Sequence, residues 1–222
     1  MYIRGFGARN IYPIHKEPFS SAKRQPLAEG LPVKLAEAKR LHGRMETYFD
    51  EMPRKDVDAK QALSDAQRAI EAWNAAMPLL QKGSPEKGEA YIALAELYDM
   101  KNKLIMSTYD HSGSARSQNL LAEEAYKSAV LAWGYAKKAF LHAKKTGAAT
   151  MDIEHREICL LHIGEAFAQG YYGVIRNRSL RPKYRTPETV REFEKAGKEV
   201  SRLRGKYYEV PVPRTPDIGA QG

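Results

Sequence analysis

The chain has 222 residues, 43% of them hydrophobic, with 36 basic against 27 acidic side chains and a formal net charge of +9. That length and apolar content suit one substantial buried core, alone or with arms. A pI near 9.5 favours an anionic partner, a single cysteine excludes an internal disulfide, and charges interrupt every apolar run before it reaches the length of a membrane span.

The charge is unevenly laid out. Residues 33–173 hold 19 basic and 19 acidic side chains and are neutral. Residues 1–32 hold five basic against two acidic, and residues 174–222 hold twelve against six. The first stretch also carries Gly5, Gly7, Pro13, Pro18, Pro26, Gly30 and Pro32, which deny a helix its ladder and its uniform dihedrals. Tyr2, Ile3, Phe6, Ile11, Tyr12, Ile14 and Phe19 are interleaved with them, more large apolar groups than a free linker carries. The expectation is an extended basic arm lying on a neighbour. No secretory apolar region follows Met1, and Pro13 argues against an amphipathic presequence.

A first helix is expected from Val33 to about Met52, with Leu35, Leu41, Met45, Tyr48 and Phe49 on one face and Pro53 as its stop. A second runs from about Asp56 to Leu80. Its stripe of Leu63, Ala66, Ile70, Trp73, Met77 and Leu80 alternates steps of three and four, with Pro78 disturbing the last turn and Gly83 closing it. Ser84-Pro85-Glu86 then opens a third helix: hydroxyl cap, proline in the first turn, acid near the positive end of the dipole. It reaches about Tyr109, and a polar loop spans 110–118. A fourth helix from about Asn119 to Lys145 carries Ala125, Ala129, Ala132, Ala136 and Ala139 on its packing face, which lets other helices approach closely and suggests a central place. Gly147 ends it. A fifth runs from about Asp152 to Ile175 and is interrupted by Gly164, Gly170 and Gly173, a cost that implies either close packing against another backbone or an end near residue 170. Thr186-Pro187-Glu188 repeats the earlier opening and starts a sixth helix. Its narrow apolar face (Val190, Phe193, Gly197, Val200, Leu203) fits a surface position. The prolines after Gly205 forbid its continuation and give an extended C-terminal arm.

Glu89-Ala90-Tyr91 and Glu124-Ala125-Tyr126 recur 35 residues apart, near a tetratricopeptide period, but the rest of that motif is missing and helix-pair packing accounts for the match. Cys159 has His155 four residues before it and His162 three after, on one side of the fifth helix. A thiol beside imidazoles could serve a nucleophile or zinc. A small buried cysteine beside hydrogen-bonded histidines fits the same spacing, and no second cysteine is present. No Glu-x-x-His, His-Glu-x-x-His, phosphate-loop or dinucleotide signature occurs. No cofactor, metal or catalytic residue is expected.

The most informative stretch is 176–186. Arg176, Arg178, Arg181, Lys183 and Arg185 lie within ten residues with no acid among them, and Tyr184 stands between the last two. Arginine forks match phosphate, and tyrosine can stack on bases. The same cations could instead pair with Glu188, Glu192 and Glu194 downstream.

The expectation is an all-α protein: an antiparallel bundle of four to five helices over 33–175, a basic segment and peripheral helix over 176–206, and extended basic arms at 1–32 and 207–222. The expected role is a non-catalytic structural subunit of a large assembly. A nucleoprotein comes first: a ribosome, an organellar ribosome or a nucleic-acid-coating capsid. Expected partners are other protein subunits and an RNA or DNA backbone at Arg176, Arg178, Arg181, Lys183, Tyr184 and Arg185, with an anionic membrane surface as a further polyanion. The alternative is a helical accessory subunit of a membrane-associated energy complex. An enzyme on the Cys159 face ranks last. The expected setting is intracellular and reducing: cytoplasm, an organelle such as the mitochondrion, or a virion.

Overall fold

A computed structural model of the protein describes residues 30–51, 58–109 and 114–208. The expected arms fall outside the described residues, save for 30–32 and 207–208. Every regular element among the described residues is a helix, so the fold is all-α as the periodicity requires. The chain divides into two compact units, Met1–Leu80 and Gln81–Gly222. The division therefore falls inside the stretch expected as one body, because periodicity shows which residues share a face and not which helices meet.

The first unit contains α1 (Leu31–Glu51) and α2 (Ala59–Ala76), followed by a single 3-10 turn at Met77–Leu79 around Pro78. Gly30, at φ +105°, turns the chain into α1, and its carbonyl accepts from the Lys34 amide. The Asp58 carboxylate caps α2 by accepting from the Lys60 and Gln61 amides at 2.9 and 3.3 Å. Leu31, Ala38, Leu41 and Met45 bury one side of α1, while Ala62, Ala66, Ala69, Ile70 and Trp73 bury one side of α2. The two run antiparallel. Val33 and Lys34 at the start of α1 share a shallow groove with Ala72 and Ala75 near the end of α2, and Arg44 reaches the buried Asp65 carboxylate at 3.3 Å.

The second unit contains α3 (Pro85–Tyr109), α4 (Ala115–Thr146), α5 (Thr150–Arg176), a one-turn α6 (Arg181–Tyr184) and α7 (Pro187–Tyr207). Ser84 caps α3 through the Lys87 amide at 3.2 Å, as its position before Pro85 implies. α4 starts four residues earlier than expected. Ser114 is its cap, accepting from the Ser117 amide, so part of the expected polar loop is helical. Gly147 ends α4 in the left-handed conformation at φ +64°, which a residue with a Cβ resists.

α4 packs along α3 on one side and α5 on the other. Its alanine face, from Ala125 to Ala143, is buried. Tyr98 stacks on Tyr135 between α3 and α4, with ring planes 6° apart. Trp133 and Phe167 stack between α4 and α5 at 7°. At the far end, Arg156 of α5 donates to the Gly88 carbonyl of α3 at 3.1 Å. α7 runs antiparallel to α5 in one continuous register. Tyr171 meets Phe193, Gly164 meets Val200, and Glu157 accepts from Tyr207 Oη at 2.6 Å. Only Ala196 and Leu203 of α7 are fully buried. Its charged face is open to solvent, as a peripheral helix should be. Of the three α5 glycines, Gly164 alone sits where a Cβ would collide, while Gly173 faces open space. Close packing therefore accounts for one of them.

Candidate functional site

The basic stretch forms the connection from α5 through α6 to α7. It is a folded turn and not an open chain. The Asn177 side chain accepts from the Ser179 and Leu180 amides at 3.0 and 3.3 Å, folding the chain back on itself. Pro182 then sits in the first turn of α6, where its missing N–H costs nothing. Thr186 and Thr189 cap α7 reciprocally. Leu180 and Tyr184 are buried beneath this connection.

Tyr184 departs from the sequence expectation. It is 8% exposed, and its ring meets Tyr126 edge-on at 5.0 Å between centroids. Burial and the nearby Glu123 carboxylate push its phenol up to about 12. It offers no open face to a base, because the turn of α6 points it into the core. Tyr171 is likewise buried and lies against Phe193. Tyr172, 51% exposed, is the aromatic ring left outside near this segment.

The cations divide into two groups. Lys183 pairs with Glu123 of α4 at 2.6 Å. Lys127 shares that carboxylate at 2.7 Å, and the two ammoniums hold Glu123 down to about 2. Arg181 donates from Nε to the Ile175 carbonyl at 2.8 Å, satisfying the end of α5 and leaving the rest of its guanidinium outward. Arg176, Arg178 and Arg185 are exposed. Among the described residues, none of these three has an acid within ion-pair distance. The downstream acids do not neutralise them. Glu188 pairs with Arg191 at 3.2 Å, and Glu192 turns to Lys137 and to the Trp133 indole of α4.

Tertiary packing adds cations that the linear charge count hid inside the neutral middle. Asn177 donates to Asn119, so the first turns of α4, with exposed Arg116, lie at the same end of the unit as the basic connection. Lys101, in the second half of α3, reaches Glu124 of α4 at 3.1 Å. Nothing in the local sequence marks Arg116, Lys101 or Lys127 as lying on the same side of the unit as the basic connection, since 54 to 80 residues separate them from Arg181.

The structure separates the members of the Cys159 face. Cys159 is buried, and burial, with Glu96 and Asp99 nearby, pushes its thiol well up, opposite to what a nucleophile needs. His162 is exposed and shares a 3.0 Å hydrogen bond with Tyr208 Oη beyond α7. Thiol and imidazole thus face different neighbours. His155 is half-buried one turn earlier. The carboxylate that sequence reasoning missed is Glu157, 4% exposed on α5. It receives Arg202 at 3.4 Å, Tyr207 at 2.6 Å and Lys206. Burial alone would raise its carboxyl, yet these three donors hold it below the usual carboxylate range. Its partners come from the far end of α7, and the cluster fastens that helix to α5.

Among the described residues no helix is long and apolar enough to cross a membrane. No protein family and no curated protein matches the chain. Among solved structures, a de novo designed helical repeat protein aligns over 79% of this chain and 71% of its own at 18% identity, with a TM-score of 0.42.

Proposed function

We propose that the protein is a non-catalytic structural subunit of a nucleoprotein assembly, and that the connection from α5 to α7 is its contact with the nucleic acid. One observation carries this reading: Arg176, Arg178 and Arg185 are exposed with no acid within ion-pair distance among the described residues, and Arg181 spends only its Nε on the protein. A purely structural arginine cluster would be expected to meet carboxylates, as Arg202 and Arg204 do with Glu157, Glu199 and Glu165. The arms at 1–32 and 207–222, by their prolines and charge, would tie the subunit to neighbouring proteins.

The test compares the full chain with a variant carrying Arg176→Gln, Arg178→Gln, Arg181→Gln and Arg185→Gln in a salt titration of RNA and DNA binding. Each lost phosphate contact should flatten the log–log slope by about 0.7 to 0.9. The variant should bind more weakly with a slope roughly three units shallower, while its helical circular dichroism stays the same. Unchanged affinity and slope would overturn the reading. If the variant bound nucleic acid as before but no longer joined its native complex, the cluster would be a contact to an acidic protein surface.

A further inference from the structure

We infer that the cluster takes base-paired nucleic acid, gripping the phosphates of a duplex without reading its bases. The inference rests on the nucleic-acid reading above and names the form of the ligand. Binding to single strands gains much of its strength from bases stacked on aromatic rings, about 1–3 kcal/mol per base. Here the ring that stands among the cations, Tyr184, is buried against Tyr126, and Tyr171 is buried against Phe193. Exposed Tyr172 leans on Phe193 with planes at 79°. One outlying ring does not make a stacking platform. The site therefore gains little from unpaired bases.

What the site offers is fixed positive charge. The connection is pinned by the Asn177 turn, by burial of Leu180 and Tyr184, and by the Thr186 cap. The guanidiniums thus project from a backbone that need not be ordered on binding. A rigid set of cations suits a rigid set of anions. A duplex presents about one charge per 1.7 Å of axis at settled positions, whereas a single strand carries about half that density and loses chain freedom when held. Arg116 on α4, brought to this end of the unit by the Asn177–Asn119 hydrogen bond, adds a further exposed cation to the face.

The full chain would be titrated with RNA and DNA duplexes of about 20 base pairs, and with single-stranded oligo(U) and oligo(A) of the same length, at fixed salt. Both duplexes should bind at least about fivefold tighter than either single strand. Duplexes of different sequence should agree within about twofold, since phosphate contacts carry no sequence information. Tyr172→Ala should leave both affinities unchanged. The ratio of RNA to DNA duplex affinity identifies the source, and either order supports duplex binding. Equal or tighter single-strand binding, 2-aminopurine quenching in the bound single strand, or a loss on Tyr172→Ala would overturn it. Those outcomes leave the four-arginine salt test intact, so failure of this inference is separable from failure of the nucleoprotein reading.

Discussion

Gly164 on α5 and Val200 on α7 meet so closely that a Cβ on the glycine would lie 2.6 Å from the valine Cγ2. The Trp133 ring of α4 closes the other side, with its Cζ3 3.0 Å from the same point. A glycine in the middle of a helix costs about 1 kcal/mol against alanine. Here the cost is offset by letting α4 and α7 both reach α5.

Gly164→Ala should therefore destabilise the protein by about 1–3 kcal/mol, since overpacking outweighs the gain in helix propensity. Gly173→Ala, with open space at its Cβ, should instead stabilise by roughly 0.4–1 kcal/mol. Urea denaturation of the two variants gives the comparison. Equal stabilisation by both would mean that α5 and α7 do not pack at this register.

Glu157 makes the attachment of α7 sensitive to acid. Its folded carboxyl lies below the ordinary value. Its contribution is therefore complete above pH 4.5 and is lost as pH falls through the folded value. Glu123, held at about 2, works in the same direction between pH 4.5 and 2. Glu157→Gln should cost about 1–2 kcal/mol at pH 7, between an exposed pair and a fully buried one, because Arg202 and Lys206 are half-exposed. The gap between wild type and variant should shrink as pH drops from 5 to about 3. A gap that stays constant across that interval would show that the Glu157 charge does not fasten α7.

A fragment of residues 33–205 would keep every expected helix, but the structure asks for slightly more at both ends. Leu31 is buried in the first unit, and Lys206 and Tyr207 hold Glu157 in the second. A fragment spanning 30–208 should unfold cooperatively in urea. The shorter fragment should unfold at lower urea, with roughly 2–5 kcal/mol lost in the first unit from the core leucine alone. Equal midpoints would mean that these end residues contribute nothing to the fold.

The sequence by itself determined the elements whose causes are local. Ser84-Pro85 and Thr186-Pro187 start helices because hydroxyl and amide stand three residues apart, and Gly147 stops one because it alone tolerates a left-handed turn. Apolar spacing gave the all-α class and marked Trp73 and the alanine face of α4 as buried. It also marked out Arg176 to Arg185, since five neighbouring cations need no tertiary information to be seen. Only the tertiary structure decided what those cations meet. Lys183 loses its freedom to Glu123, 60 residues away, while Tyr184 turns inward against Tyr126. Arg116 and Lys127 arrive from a stretch whose summed charge is zero. Helical period fixes the face a residue occupies, but the partner of that face is set by register between helices, as where Gly164 admits Val200. That register depends on side-chain shape at contacts dozens of residues apart, and no local pattern encodes it.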